Sequence, residues 1–247
     1  MADMAMEIIR IVPVHPGAAQ AAPATPAQLT YRGGPLLSAV EVSTIFWGSA
    51  WQGAQAPLAQ QLNDFFLYVL SSPLLDQLAE YSTATVSIGH GSLAGSVTIA
   101  DSEPGTTVTD AAIQAAIQGW IAQRTVSQPT PNSLYFVYLP PGVTSDLGGQ
   151  QSCTAFCGYH ESFGAQTYYA VMPYPDCSGC LGGSAILDAL TSTSSHELCE
   201  AITDPVPGQG WYDDANGEIG DICAWQTRTL AGWTVQLEWS NRLNSCA

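Results

Sequence analysis

The chain has 247 residues, 46 % of them hydrophobic, which is enough for one large domain with a substantial core. Its formal charge is −16, with five arginines and no lysine, so the surface is wrong for nucleic acid or anionic membranes, both of which need a basic footprint. No run of about 20 apolar residues occurs, so no membrane-spanning helix is expected.

The first ten residues lack a charged stretch followed by an apolar run, so they do not read as a signal peptide. A secreted form would need the signal already removed, or an unconventional export route. Residues 14–28 are rich in Ala, Pro and Gln and read as a flexible leader. The expected organisation is a leader over residues 1–30 and one domain over 31–247, without internal repeats.

Residues 40–47 are β-branched and aromatic, end at Gly48, and predict a strand. Residues 55–70 carry Leu58, Leu62, Phe65, Phe66 and Val69 at helical spacing, with Pro57 suited to a first turn. A short helix over 73–81 is followed by strands over 84–88 and 95–99, joined by a Gly-rich turn containing His90. Residues 109–124 predict a helix capped by Thr109 or Asp110, with Ile113, Ile117, Trp120 and Ile121 on one face. Residues 133–139 are nearly all apolar and predict a strand buried on both faces. A long loop is expected over 140–163, then a strand over 166–172 and a second cysteine-bearing loop over 173–183. The segment 184–202 predicts a buried helix stopped by Asp204-Pro205, and 233–239 a late, half-buried strand.

That last helix carries the motif around which the chain is organised. Ser195–Asp204 reads Ser-His-Glu-Leu-Cys-Glu-Ala-Ile-Thr-Asp, which contains His196-Glu197-x-x-Glu200. Positions i and i+4 share a helix face, so His196 and Glu200 can hold one metal ion between them. Glu197, one step round the helix, can then act on a water bound to that ion. These are the mechanics of the zincin motif with its second His replaced by Glu, a change zinc chemistry tolerates. The bland alternative is a solvated helix face, but the small, apolar neighbours of the motif argue for burial, and buried His and Glu need partners.

Asp213, Asp214, Glu218 and Asp221 crowd together downstream. Glu218 or Asp221 is expected as the third ligand, the other orienting His196. Asp204 is a poorer candidate, because ligands on successive turns of one helix spread over about 12 Å at 1.5 Å per residue. Calcium is the rival occupant: Asp214-x-Asn216-x-Glu218 places oxygen donors on alternate residues, though the EF-hand pattern is absent. Tyr212 or His160 is considered for oxyanion stabilisation.

Seven cysteines include Cys153-x-x-x-Cys157 and Cys177-x-x-Cys180. Two such pairs suit a zinc site with four thiolate ligands, or disulfides; the flanking Gly, Ser, Pro and Tyr favour disulfides and an extracellular setting. A Cys199–Cys223 bridge would pin the acidic segment beside the helix, and the alternative is that one of the two pairs with Cys246.

Tyr31-Arg-Gly-Gly-Pro-Leu-Leu, the strand ending Phe46-Trp47-Gly48, Cys153-Thr-Ala-Phe-Cys157-Gly-Tyr-His160 and Cys177-Ser-Gly-Cys180 resemble the exordium / phosphate-induced protein family, over most of residues 31–225. The chain looks like a microbial branch carrying Ser-His-Glu-Leu-x-Glu-Ala-x-Thr-Asp-Pro, then Trp-Tyr-Asp and Glu-x-x-Asp-x-Cys. The resemblance implies a secreted, disulfide-bearing fold and supplies no activity.

The expectation is therefore an α/β domain of zincin type, a mixed sheet with a backing helix (109–124) and an active-site helix (184–202). The expected function is that of a secreted zinc-dependent metallopeptidase, with Glu197 as general base, His196, Glu200 and Glu218 or Asp221 on the metal, and a peptide or protein as substrate. The alternative is a non-catalytic extracellular binding or signalling protein with a structural zinc or calcium ion.

Overall fold

The computed structural model describes residues 11–15 and 26–247. Six strands form a mixed sheet: β1 (Ile11–Pro13), β2 (Glu41–Trp47), β3 (Ser92–Ile99), β4 (Ser133–Tyr138), β5 (Phe156–Phe163) and β6 (Thr167–Met172). Their order across the sheet is β1-β5-β6-β4-β2-β3. Strands β6, β4, β2 and β3 run parallel, while β5 is antiparallel to β6 and β1 antiparallel to β5.

Helix α1 (Ala56–Val69) links β2 to β3, and helix α2 (Asp110–Ala122) links β3 to β4. Pro57 sits in the first turn of α1, where its missing N–H costs nothing. Thr109 caps α2, its side chain accepting the Ala112 N–H. The two helices lie against opposite faces. Alternation along β4 shows why: Leu134, Phe136 and Tyr138 pack with Leu62, Phe65 and Phe66 of α1, whereas Tyr135 and Val137 pack with Ile113, Ile117 and Trp120 of α2. Both faces of the strand are covered, so its sequence is apolar throughout.

Helix α3 (Ile186–Thr203) joins α1 on its face of the sheet. A hairpin of β7 (Thr227–Leu230) and β8 (Trp233–Gln236) closes over the other side of α3. Sheet below and hairpin above bury every residue from Ala189 to Thr203. Small side chains make this fit possible. A Cβ on Gly158 of β5 would lie 2.6 Å from Thr193 Cγ2, so only glycine lets the strand come this close to the helix. The hydroxyls of Ser195 and Thr203 turn back to the Ser192 and Cys199 carbonyls, which satisfies them inside the core.

Three disulfides are present, Cys153–Cys177, Cys157–Cys180 and Cys223–Cys246. The four-thiolate metal reading of the first two pairs is thereby replaced by disulfides. Cys199 stays a buried thiol, so the Cys199–Cys223 bridge is corrected to Cys223–Cys246.

Several expected elements change. The segment 140–163 is no open loop: β5 and the short strand Thr144–Leu147 occupy much of it. Residues 84–88 form no strand, because Thr83 Oγ1 accepts the Thr85 and Val86 N–H groups and folds the chain into a turn. Within the expected leader, some of the described residues pack against the domain. Val12 is buried against the Cys157–Cys180 bridge, and Ala27 and Leu29 are buried in the core. The remainder of that expected leader, residues 1–10 and 16–25, lies outside the described residues. No helix among the described residues is long and apolar enough to cross a membrane.

A buried histidine–carboxylate centre

Three pieces of chain build the site. Helix α3 supplies His196, Glu197 and Glu200, strand β5 supplies His160, and the segment after α3 supplies Glu218 and Asp221. Asp204, at the C-terminal end of α3, borders it. His160, His196, Glu197, Glu200, Asp204 and Glu218 are all 0 % exposed, and the Asp221 side chain is 5 % exposed.

The helical spacing works as the sequence implies. His196 Nε2 lies 2.9 Å from Glu200 Oε1 and 3.9 Å from Asp221 Oδ1. The Asp221 N–H donates to the same Glu200 oxygen at 3.1 Å. Glycine is what admits the acidic segment to this position: a Cβ on Gly220 would sit 2.8 Å from His196 Nδ1, and one on Gly217 would sit 2.3 Å from Asp221 Oδ2. The amide of Gln236, from β8, is fixed by its surroundings. Its Nε2 donates to the Gly220 carbonyl at 2.9 Å and faces His196 Nδ1 at 2.8 Å, while Oε1 accepts the Trp225 N–H at 3.2 Å.

His160 is the residue that sequence reasoning undervalues. It lies opposite Ala170 across the β5–β6 ladder. Its Nε2 is 3.1 Å from the Asp204 carbonyl, and since a carbonyl only accepts, Nε2 carries the proton. Nδ1 then faces Glu197 Oε2 at 3.0 Å and Glu200 Oε2 at 3.5 Å. Glu218 Oε1 is 3.5 Å from the ring on its Nε2 side.

Electrostatics divides the carboxylates into two kinds. Asp204 is satisfied by protein alone, accepting the Gly208, Gln209 and Gly210 N–H groups; burial still lifts its pKa to about 6. The others are not satisfied. Glu197 Oε1, Glu200 Oε2 and both oxygens of Glu218 have no hydrogen-bond partner, and neither has His196 Nε2. Burial pushes Glu218 and Asp221 well above the usual carboxylate range, and the charge of Glu200 adds to this; Glu197 is also raised, chiefly by burial. Glu200 goes the other way: burial opposes its charge, but His196 and His160 together hold it down to about 2. Burial alone would depress both histidines. The nearby carboxylates Glu218, Glu197 and Glu200 raise His160 instead, and Glu200 raises His196.

Orphaned, fully buried carboxylate oxygens converging on two imidazoles are what a cation's coordination shell looks like without its protein-internal alternatives. Two groups of ligand atoms lie close enough together to hold an ion, His196–Glu200–Asp221 and His160–Glu200–Glu218, each with its atoms within 4.8 Å of one another.

No family model, curated protein or solved structure matches this chain.

The other sequence candidates are placed elsewhere. The calcium arrangement over alternate residues does not form: Asp214 pairs with Arg32, the Asn216 amide turns to Asp213, and only Glu218 enters the centre. Tyr212 belongs to a two-stranded ribbon with Thr30, its ring 4.6 Å from the Arg32 guanidinium carbon. His160, considered for the oxyanion, is instead engaged with Glu197 inside the carboxylate cluster. A strand reading of residues 156–163 would have found it, because Gly158 and His160 then share the face turned to α3 while Tyr159 turns to α2.

Proposed function

We propose that this protein is a zinc-dependent peptidase of zincin type, secreted, and related to the microbial branch of the exordium family. The observation that carries the reading is Glu197. It is buried beside the candidate ligands, one oxygen 3.0 Å from His160 Nδ1 and the other without a partner. The donor set of imidazole nitrogen and carboxylate oxygens suits zinc; calcium prefers an all-oxygen shell. His196 and Glu200 supply two ligands, with Asp221 as third in the same group and Glu218 in the adjoining one. A divalent ion there supplies a Lewis acid for the scissile carbonyl and eases deprotonation of water.

The chain's own residues do the rest. Glu197 accepts the proton of the attacking water and returns it to the leaving amine. His160 lies beside Glu197, its Nδ1 3.0 Å from Oε2, and the Asp204 carbonyl fixes the ring. Gln236 sets the ring plane of His196. Three disulfides support an oxidising, extracellular setting.

Complete burial of the centre favours one other reading, a closed metal site in a non-catalytic extracellular protein, because structural sites are closed and catalytic ones keep a position open. Glu197→Gln separates the two. The peptidase reading expects metal content unchanged and peptide hydrolysis lost by a factor of at least about 100. A wild-type protein that carries metal yet cleaves nothing in a broad peptide library refutes the peptidase reading and leaves the closed site.

A further inference from the structure

We infer that the centre takes two divalent ions, bridged by Glu200, with His160 as a metal ligand in its own right. The inference rests on the metal reading above and deepens it. A single ion on the helix motif leaves half of the buried groups unexplained. Four carboxylates, Glu197, Glu200, Glu218 and Asp221, converge here, and among the described residues the only basic groups paired with them are His160 and His196. With both imidazoles neutral, two divalent ions match the charge of four ionised carboxylates, where a single ion leaves two of them to be met by protonation.

The geometry of Glu200 points the same way. Its two oxygens face different imidazoles, Oε1 toward His196 Nε2 at 2.9 Å and Oε2 toward His160 Nδ1 at 3.5 Å. That is how a carboxylate spans two ions, one on each oxygen, in sites where the ions stand about 3.5–4 Å apart. Each group also has a third residue. Asp221 completes the group around His196, and Glu218 completes the group around His160.

Three observations beyond the acidic cluster mark the second position as built. Glu218 is 0 % exposed and neither of its oxygens meets a donor, although the fold brings it to His160. Glu200 Oε2, the oxygen on the His160 side, is likewise without a partner. His160 donates Nε2–H to a backbone carbonyl, the contact that leaves the opposite nitrogen of a neutral imidazole with its lone pair toward the carboxylates. A histidine serving only as an ion-pair partner for Glu197 would leave Glu218 with no reason to be there.

The test is metal stoichiometry on the full chain, loaded with Zn2+ and desalted, by elemental analysis and native mass spectrometry. Two ions per chain are expected. His160→Gln and His196→Gln should each retain one, and Glu200→Ala none. Loading with Mn2+ provides a readout independent of activity and of folding losses: the wild type should give an exchange-coupled paramagnetic resonance signal, and folded His160→Gln the six-line spectrum of an isolated ion. One ion per chain, unaltered by His160→Gln, overturns the two-ion inference while leaving the peptidase reading standing. No bound ion at all removes both. Two ions without magnetic coupling also overturn the bridge.

Discussion

Two carboxylates on opposite faces of the same sheet are treated in opposite ways. Under α2, Asp110 receives the hydroxyls of Tyr159 and Tyr169 on one oxygen, at 2.9 and 2.6 Å, and the Gln114 amide on the other at 2.7 Å. Around it the face is filled by Ile113, Ile117, Trp120 and the aromatic side chains of the strands. Under α3, Glu218 is more deeply buried and receives nothing. The fold therefore supplies donors where a carboxylate is to be held by protein alone. Where it withholds them from several carboxylates at once, the desolvation cost is met by protonation or by a cation. One face is satisfied by the polypeptide alone, and the other holds the groups that could take a metal ion.

Stripping the metal should break this contrast most severely. An ion held at a thousandfold above its Kd contributes about 4 kcal/mol, so two contribute on the order of 8 kcal/mol. For a domain of this size that lowers Tm by roughly 15–30 °C. The pH dependence should also change sign. In chelated protein Glu197, Glu218 and Asp221 have folded pKa values above their unfolded ones, as do His160 and His196. Each contributes stability below its unfolded pKa and loses it as pH rises through the raised value. Glu200, held to about 2, acts oppositely, and its contribution disappears only in strong acid. Chelated protein should therefore melt at higher temperature near pH 5 than near pH 8. Loaded protein should do the reverse, because protons compete with the ions. Calorimetry with and without chelator decides this; a Tm indifferent to chelator at both pH values contradicts the contrast.

Truncating the other face should give a smaller effect, confined to stability. Ile117 is 0 % exposed in the α2 layer, and Ile117→Ala should cost about 2–5 kcal/mol through lost burial and a cavity. Metal content should stay at the wild-type value. Loss of metal in a folded Ile117→Ala protein would show that the two faces are not independent.

How much of this is legible in the sequence differs between the faces for a physical reason. Helices α1 and α2 follow from apolar periodicity and a cap, and β4 from its continuous apolar run, because each is decided by local pattern. The motif helix is equally readable from the His196–Glu200 spacing and its Asp204-Pro205 stop. His160 is hidden, because the glycine and cysteines around it imitate a loop; only pairing with β6 makes residues 156–163 a strand. Gln236 and Gly220 matter through contacts made across distant parts of the chain, which no local pattern encodes. Cysteine pairing is open in the sequence for the same reason. Cys199 faces the core on α3 while the chain end brings Cys246 to Cys223. The N-terminal strand has the composition of a leader beside it, although Val12 lies on the Cys157–Cys180 bridge.

The gentlest substitution tests whether orphaned oxygens alone mark the centre. Glu238 is also 0 % exposed, and neither of its oxygens has a hydrogen-bond partner, yet it belongs to neither group of converging ligand atoms. Burial pushes its pKa well above the usual range, with Glu200 adding to the rise. A neutral amide of the same shape replaces it without burying a new charge. Glu238→Gln should change stability by less than about 1 kcal/mol and leave metal content intact. Glu218→Gln, chemically the same exchange, should cost one ion. If both variants lose metal equally, Glu238 must be counted with the ligands. If neither does, convergence of several carboxylates on the imidazoles is not what separates the two sites, and the contrast between the faces fails at its most specific point.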